Sequence, residues 1–223
     1  DVLSASENDD KIAWYENNGS QSFTAHTITS SAVGAFDVFG IDINNDGDMD
    51  ILSTSTSTCK ISYHLNNGSQ NFATNDCIAT SNRISHVYSL FAVDVDKDGD
   101  IDVLSASGND DRIAWHENNG HPTSPAFTTH TITTSADGAL DVYAADVDGD
   151  GDMDVLSASP TDHSIIWYAN NGASDPEFTA YTISSSADAP SSVFAVDVDG
   201  DGDMDVLSGG NSTFYWYENN GSE

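Results

Sequence analysis

The sequence predicts an all-β fold, a β-propeller of four-stranded antiparallel blades, and three observations indicate this class. An acidic loop occurs four times, and its first residues, Asp42, Asp94, Asp146 and Asp197, are separated by 52, 52 and 51 positions. The segments between the loops alternate apolar and polar residues or are rich in β-branched and aromatic types. Helical periodicity is absent, and a unit of about 52 residues with four strands has the size of a propeller blade.

Each unit contains four strand-like segments, and the unit around Asp94 illustrates them. The first, Leu90–Val95, leads into the acidic loop, and the second, Val103–Ser107, follows it. The third, Ile113–Gly120, ends in Asn-Asn-Gly, which is a hairpin signal because Asn and Gly accept the positive φ of tight β-turns. The fourth is Phe127–Ile132. Turn residues separate the four segments, so we predict an antiparallel meander.

The acidic loop is predicted to hold a metal ion. In Asp94–Asp102 an acidic side chain stands at every second position, and without a cation these carboxylates would repel one another. Ca²⁺ takes roughly six to eight oxygen ligands in a flexible geometry and fits best. We expect carboxylates from positions one, three, five and nine, a backbone carbonyl from position seven, and a sharp turn at Gly99 in position six. The alternative is an acidic solvated turn, which four recurrences at one spacing disfavour.

Four calcium sites are therefore predicted, one in each loop. The candidate ligands are Asp42, Asn44, Asp46, Asp48 and Asp50; Asp94, Asp96, Asp98, Asp100 and Asp102; Asp146, Asp148, Asp150, Asp152 and Asp154; and Asp197, Asp199, Asp201, Asp203 and Asp205. Asn44 replaces an acid, which leaves the first site with one negative charge fewer. Asp1 stands where a further loop would end.

The repeats predict one propeller region over the whole chain. Approximate blades lie at 1–29, 36–79, 90–133, 140–184 and 192–223. The first blade lacks its first strand and the last lacks its fourth, so both are partial. We interpret these four to five blades as an arc of a larger ring, because an open sheet edge at each end is a liability that closed propellers avoid.

The composition is strongly acidic. The 223 residues include 37 Asp and Glu against five Lys and Arg, for a formal charge of −32. Binding to nucleic-acid phosphates or anionic lipid needs Lys and Arg, so both are excluded as partners. No apolar run has the length of a membrane span. No secretory signal opens the chain, so we expect its targeting signals elsewhere.

Cys59 and Cys77 are the only cysteines. They lie on neighbouring predicted strands near the open end of one hairpin, where a disulfide would fit an oxidising compartment. The alternative is a pair of buried free thiols. Millimolar extracellular calcium also suits weak sites of this type, so the expected location is extracellular or at the cell surface.

Two aromatic slots recur on the third strand. The first is predicted to fill the space between adjacent sheets, and a sugar-stacking platform is the alternative. Its residues are Trp14, Tyr63, Trp115, Trp167 and Trp216. The second slot points to the opposite face of the sheet. We expect it to pack against the next blade, with its polar tips near an edge. Its residues are Tyr15, His64, His116, Tyr168 and Tyr217.

Together these motifs resemble the FG-GAP/VCBS repeat family. The resemblance rests on Asp-x-Asp-x-Asp-Gly-Asp-x-Asp followed by Val-Leu-Ser, on Ile-Ala-Trp-Tyr-Glu-Asn-Asn-Gly and on Phe-Thr-x-His-Thr-Ile, and it covers essentially the whole chain. It implies a β-propeller with calcium in the turn between the first and second strands of a blade. Integrin α-subunit heads, usually with seven blades, carry the same repeat. The resemblance also implies that ligands bind to the loops opposite the calcium face.

The expected function is that of a non-catalytic extracellular module. Such a module would bind a protein or glycan ligand, or would join neighbouring copies or domains in a larger assembly. The alternative is the propeller domain of a polysaccharide lyase or hydrolase. An enzyme should carry polar residues that break the repeat and converge in one pocket. The candidates without repeat equivalents are Arg83, His86, His121 and His163, scattered over three connections, and no Gly-x-Ser-x-Gly nucleophile motif is present.

Overall fold

The computed structural model describes residues 1–56, 61–78 and 86–221. Within these ranges the chain forms five antiparallel sheets of three or four strands and no helix. We number the sheets 1 to 5 in chain order. Each sheet is a meander, because its strands are hydrogen-bonded in the order in which they occur in the chain.

The strands of the five sheets have the following bounds. Sheet 1 contains β1 (Val2–Ser6), β2 (Lys11–Asn17) and β3 (Phe23–Thr29). Sheet 2 contains β4 (Val38–Ile41), β5 (Asp50–Thr54), β6 (Ile61–Asn66) and β7 (Phe72–Cys77). Sheet 3 contains β8 (Val87–Val93), β9 (Asp102–Ser107), β10 (Arg112–Asn118) and β11 (Phe127–Thr133). Sheet 4 contains β12 (Asp141–Ala145), β13 (Asp154–Ser159), β14 (Ser164–Asn170) and β15 (Phe178–Ser184). Sheet 5 contains β16 (Ser192–Val196), β17 (Asp205–Gly209) and β18 (Phe214–Tyr217).

Burial changes from strand to strand across each sheet. The Val-Leu-Ser-rich strands β9 and β13 are buried along their whole length, because a neighbouring sheet covers each of their faces. The fourth strands β11 and β15 are mostly half-buried or exposed. The first strands of consecutive sheets contact one another, β4 with β8, β8 with β12 and β12 with β16. The core therefore lies between successive sheets, and the fourth strands form the outer side.

The first aromatic slot packs between sheets, as the sequence predicts for most of its members. Trp115 is only 1% exposed and lies in a cluster with Val142 and Ala144 of the next sheet. Tyr63 is also buried. Trp216 of sheet 5 is different, because 48% of its surface is exposed. The sugar-platform alternative is thus wrong for Trp115 and Tyr63.

The second aromatic slot corrects the sequence prediction. Tyr168 packs in the cluster of the preceding sheet, beside Val95 and Trp115, and not against the next sheet. Its hydroxyl lies 3.3 Å from the hydroxyl of Ser157 on the adjacent strand, so its polar tip is satisfied inside the sheet and not at an edge. The same serine–aromatic pairing occurs in every sheet, as Ser4–Tyr15, Ser53–His64, Ser105–His116 and Ser208–Tyr217. The slot accepts His or Tyr because either side chain can bond a serine hydroxyl.

Two further sequence expectations concern the cysteines and the membrane. Cys77 is disulfide-bonded, and Cys59 lies outside the described residues. In the described part of the chain, no helix is long and apolar enough to cross a membrane.

Candidate metal centres

Each acidic loop joins the first strand of a sheet to the second. The loop of sheet 3 follows β8 and ends on Asp102, the first residue of β9. Its sixth residue, Gly99, has φ +95°, and the equivalent glycines Gly47, Gly151 and Gly202 have φ between +91° and +103°. A side chain at this backbone angle is strained. The glycine therefore turns the chain back so that the acids on either side of it face inward.

Three of the four loops bring carboxylates together. In the second loop, ligand atoms of Asp94, Asp96 and Asp102 all lie within 4.8 Å of one another. The third loop gathers Asp146, Asp148 and Asp150, and the fourth gathers Asp197, Asp199 and Asp205, within the same limit. The second and fourth loops contribute positions one, three and nine, and the third loop contributes positions one, three and five. Each of them could hold a metal ion.

Two buried carboxylate oxygens of the acidic loops have no hydrogen-bond partner among the described residues. They are Oδ1 of Asp94 and Oδ1 of Asp146. The other oxygen of each accepts the backbone N–H of the position-six glycine at 3.0 Å. An ionised oxygen buried without a partner is costly. A divalent cation bound by oxygen ligands would satisfy it, so position one fits a metal ligand.

The acid at position nine is held by the backbone on both sides. Oδ1 of Asp102 accepts the N–H of Asn118 at 2.8 Å, and Oδ2 accepts the N–H of Val95 at 3.1 Å. Burial nevertheless raises the pKa of Asp102 to about 7, and burial raises the pKa of Asp50 and of Asp154 to about 6. A nearby cation favours the charged form of a carboxylate. A metal ion in the loop would therefore offset the desolvation of these buried acids.

The acid at position seven points away from the cluster. In sheet 3 the carboxylate of Asp100 lies against the Asn-Asn-Gly turn, so that a Cβ on Gly120 would clash with Oδ2 of Asp100. The same contact is made by Asp152 with Gly172 and by Asp203 with Gly221. The turn glycine is thus required by close approach as well as by its positive φ of +65°. A contribution of position seven through its backbone carbonyl remains a prediction.

The first loop differs from the other three. Nδ2 of Asn44 donates to Oδ2 of Asp46 at 2.9 Å and to the carbonyl oxygen of Pro122 at 2.6 Å. Oδ1 of Asp42 accepts the backbone N–H of Asp46 at 3.1 Å and so has a partner. Among the described residues, this loop forms no cluster of three acids like the others. Asn44 therefore ties the first loop to sheet 3 where the other loops carry a further carboxylate.

Side chains at position four connect consecutive loops. Nδ2 of Asn45 donates to the carbonyl oxygen of Gly99 at 3.1 Å and to Oδ1 of Asp100 at 3.2 Å. Lys97 forms an ion pair with Asp152 of the next loop. The equivalent residue of the third loop is Gly149, which has no side chain to continue the series. The first three loops are thus linked along one end of the sheets.

An aromatic row on the first strands was missed by the sequence analysis. Ring centroids of Phe39 and Phe91 are 5.7 Å apart, those of Phe91 and Tyr143 are 4.8 Å apart, and those of Tyr143 and Phe194 are 4.7 Å apart. Phe194 is 47% exposed and the other three are half-buried. These residues share the 52-residue spacing of the loops, so the same alignment contained the signal.

The candidate catalytic histidines do not converge. His121 lies between β10 and β11, at the end of the sheet that carries the acidic loop, whereas His86 precedes β8 at the opposite end. His163 takes the place of Asp10 and Asp111, because all three residues have positive φ. The backbone carbonyl oxygen of each also accepts an N–H from the connection to the next sheet at 3.0 Å. The expectation that His163 has no repeat equivalent is therefore wrong. Arg83 lies outside the described residues.

Comparison with known families identifies the repeat. A sequence model of the FG-GAP-like repeat matches the chain four times, over residues 1–53, 42–105, 94–157 and 146–208. The chain belongs to the FG-GAP-like repeat family. The last three matches each begin at the first residue of an acidic loop, so one FG-GAP-like repeat runs from one loop into the next. No curated protein matches the chain.

Two solved structures resemble this FG-GAP-like chain. An Agrocybe aegerita lectin, whose structure explains recognition of non-reducing terminal N-acetylglucosamine, is 19% identical with a TM-score of 0.64, over 99% of this chain and 63% of the lectin. The V. cholerae biofilm matrix protein Bap1 is 19% identical with a TM-score of 0.48, over 93% of this chain and 34% of Bap1. The chain thus spans less than two thirds of either protein. At this identity the likeness to the lectin concerns the fold alone.

Proposed function

We propose that this chain is an extracellular, calcium-binding β-propeller module that recognises a protein or a glycan, or serves as a structural repeat in a larger assembly, and that it is not an enzyme. One observation carries the proposal. The same inward-facing aspartate cluster occurs in three consecutive sheets, and in two of them a buried carboxylate oxygen has no protein partner. The hard oxygen ligands favour Ca²⁺, whose coordination geometry is less demanding than that of other common divalent ions.

The propeller arc is the second part of the proposal. Successive sheets contact each other through their first strands, as neighbouring blades of a propeller do around its axis. Large apolar side chains of both end sheets, Phe23 and Trp216 among them, are half exposed. Exposed faces of this kind are expected at the two ends of an arc and not in a closed ring of five blades.

The recognition surface that we favour is the aromatic row on the first strands. Four aromatic rings follow one another at 4.7 to 5.7 Å between centroids, and exposed aromatic faces bind carbohydrate rings. A glycan ending in N-acetylglucosamine is the first probe to use, since the lectin with this fold recognises it. A protein ligand on the same surface is the alternative outcome.

Calcium titration of chelator-treated protein tests the metal part. We expect at least three bound ions, because three clusters have converging carboxylates, and a clear rise in melting temperature. No rise at saturating calcium would contradict the proposal.

Glycan and protein arrays, each probed with and without calcium, test recognition. Tyr143→Ala should lose the captured ligand, whereas Phe36→Ala, which changes an exposed ring outside the row, should retain it.

A further inference from the structure

The first asparagine of the Asn-Asn-Gly turn also makes contacts outside the turn. In sheet 3 this residue is Asn118, which is buried. Its Oδ1 accepts the N–H of Gly120 within the turn at 3.3 Å, and its Nδ2 donates to the carbonyl oxygens of Ile101 and Ile43, each at 2.9 Å. Ile101 belongs to the acidic loop of the same sheet, and Ile43 belongs to the loop of the preceding sheet. The side chain therefore bridges two consecutive loops.

The same bridge recurs in the following sheets. Asn170 of sheet 4 is buried, and its Nδ2 donates at 3.1 Å to the carbonyl oxygen of Met153 in its own loop and to that of Val95 in the loop of sheet 3. Asn219 of sheet 5 bridges the third and fourth loops in the same way. A side-chain amide supplies two donors and one acceptor group, and this arrangement uses all of them. Neither aspartate nor serine offers two donors, so the position requires an amide.

Each bridge ends on the peptide segment that carries two candidate metal ligands. Val95 stands between Asp94 and Asp96, which both belong to the carboxylate cluster of the second loop. The N–H of Val95 donates to Oδ2 of Asp102, the position-nine acid of the same cluster, at 3.1 Å. Its carbonyl oxygen is the acceptor of the bond from Asn170. The ligands of the second loop are thus held partly by sheet 4.

The other end of this bridge reaches the third loop. The backbone N–H of Asn170 donates to Oδ1 of Asp154, the position-nine acid of that loop, at 2.8 Å. Oδ2 of Asp154 accepts the N–H of Val147 at 3.1 Å. Val147 stands between Asp146 and Asp148, which both belong to the third cluster. Buried hydrogen bonds therefore connect the candidate ligands of one loop to those of the next.

We propose that Asn170 couples the second and third loops, so that a calcium ion in either loop raises the affinity of the other. This inference rests on the calcium binding proposed above. Asp154 becomes fixed when the third loop is occupied, and it orders Asn170 and, through Asn170, the segment around Val95. The second loop then has fewer groups left to order when it binds its own ion. The coupling is reciprocal and typically amounts to about 5–150-fold in affinity.

Two other interactions between these loops give a different signature. Two calcium ions repel each other, so direct electrostatics would make one ion weaken the binding of the other. Lys97 of the second loop forms an ion pair with Asp152 of the third, and the side chain of Lys97 is 53% exposed. Added salt weakens an exposed ion pair. Positive coupling that persists at high salt therefore points to the buried asparagine.

Calcium titration followed by NMR of protein labelled with ¹⁵N-glycine measures each loop separately. Gly99 reports on the second loop and Gly151 on the third, because the N–H of each donates to the position-one acid of its loop. Disabling the third loop with Asp146→Asn should weaken calcium binding to the second loop by about fivefold or more at high salt. The empty variant loop lacks the two positive charges of the ion and one negative charge of the carboxylate. Electrostatics alone would therefore strengthen binding to the second loop.

A second substitution tests whether the effect passes through the bridge. Asn170→Ser keeps an acceptor for the turn but loses the donor to Val95, so adding Asp146→Asn to it should leave the second-loop affinity unchanged. Asn171→Ser, which changes the exposed neighbour in the same turn, should keep the full effect and is the matched control. Circular dichroism in chelator checks the fold of each variant, and Asn170→Asp, which is closer in shape, replaces the serine variant if that variant does not fold.

The outcomes distinguish this coupling from calcium binding itself. If Asp146→Asn leaves the second-loop affinity unchanged, or weakens it equally with and without Asn170→Ser, the coupling is overturned and calcium binding still stands. If the parent protein shows no calcium-dependent shift of Gly99 or Gly151, the proposed calcium binding fails and the coupling fails with it.

Discussion

Replacing Asp94 by asparagine should remove one calcium site and leave the fold intact. Oδ2 of Asp94 accepts the N–H of Gly99 at 3.0 Å, and Oδ1 is buried without a partner. Asparagine has nearly the same shape and can keep the bond to Gly99 through its amide oxygen. The substitution removes one charge and one ligand oxygen from a cluster that also contains Asp96 and Asp102.

The magnitude follows from binding linkage. A site occupied at one hundred times its dissociation constant stabilises the folded state by about 2.7 kcal/mol. For a chain of this length, 1 kcal/mol corresponds to roughly 2–4 °C in melting temperature. The rise in melting temperature on adding calcium should therefore be about 5–11 °C smaller in the variant. In chelator the variant should be at least as stable as the parent, because one of several repelling carboxylates is gone.

Thermal unfolding followed by circular dichroism, in excess chelator and in saturating calcium at one ionic strength, measures this difference. Calorimetric titration of the same samples should show one fewer bound ion. Asp175→Asn, which removes an exposed carboxylate outside the loops, is the matched control and should keep the full rise. The reasoning is refuted if Asp94→Asn keeps the full calcium-dependent rise, or if it loses the same stability with and without calcium.

Three further predictions concern the loops and the core. Gly99→Ala should lower the free energy of unfolding, measured in urea, by about 1–2 kcal/mol, because a φ of +95° strains any side chain. No atom lies within 4 Å of the added Cβ, so a steric clash would not explain the loss. Unchanged stability would contradict this prediction. Burial lowers the pKa of His116 to about 3, so below about pH 6.5 the unfolded chain binds a proton that the folded chain does not. The parent should therefore lose about 2 kcal/mol more than His116→Tyr between pH 7 and pH 5, and parallel losses in urea titrations would refute this. Lys97→Met should raise the calcium affinity of the third loop by a small factor, because the ammonium group of Lys97 beside Asp152 repels a bound calcium ion. The difference should shrink with added salt. Equal calcium affinities of parent and variant at low salt would count against this prediction.

The repeat and its loops could be predicted from the sequence because their signals are local. A glycine at the sixth loop position, acids at alternate positions and an Asn-Asn-Gly turn each constrain a few neighbouring residues. The strands around Asp94 and the position of the loop between them follow from that pattern. The family assignment rests on the same stretch, since three of the four matches begin at the first residue of a loop.

Other features depend on which sheet lies next to which. Sequence alternation placed Tyr168 on the opposite face from Trp167 but assigned that face to the wrong neighbour. The loop pattern predicts that Asn44 is a weaker metal ligand than an aspartate. Only the fold brings Asn44 to Pro122, which lies 78 positions away along the chain. The order of residue types within one repeat specifies its strands, its turns and its candidate metal ligands. Contacts between units depend on the hand and spacing of packed sheets, which no single unit encodes.

What the sequence alone determined is the all-β class, the repeat length and the acidic loops, because backbone conformation and ligand chemistry are local properties. What only the tertiary structure decided is the direction in which each aromatic slot packs, the aromatic row on the first strands and the contact of Asn44 with Pro122. These depend on residues about 52 positions apart being brought together when one sheet covers the next.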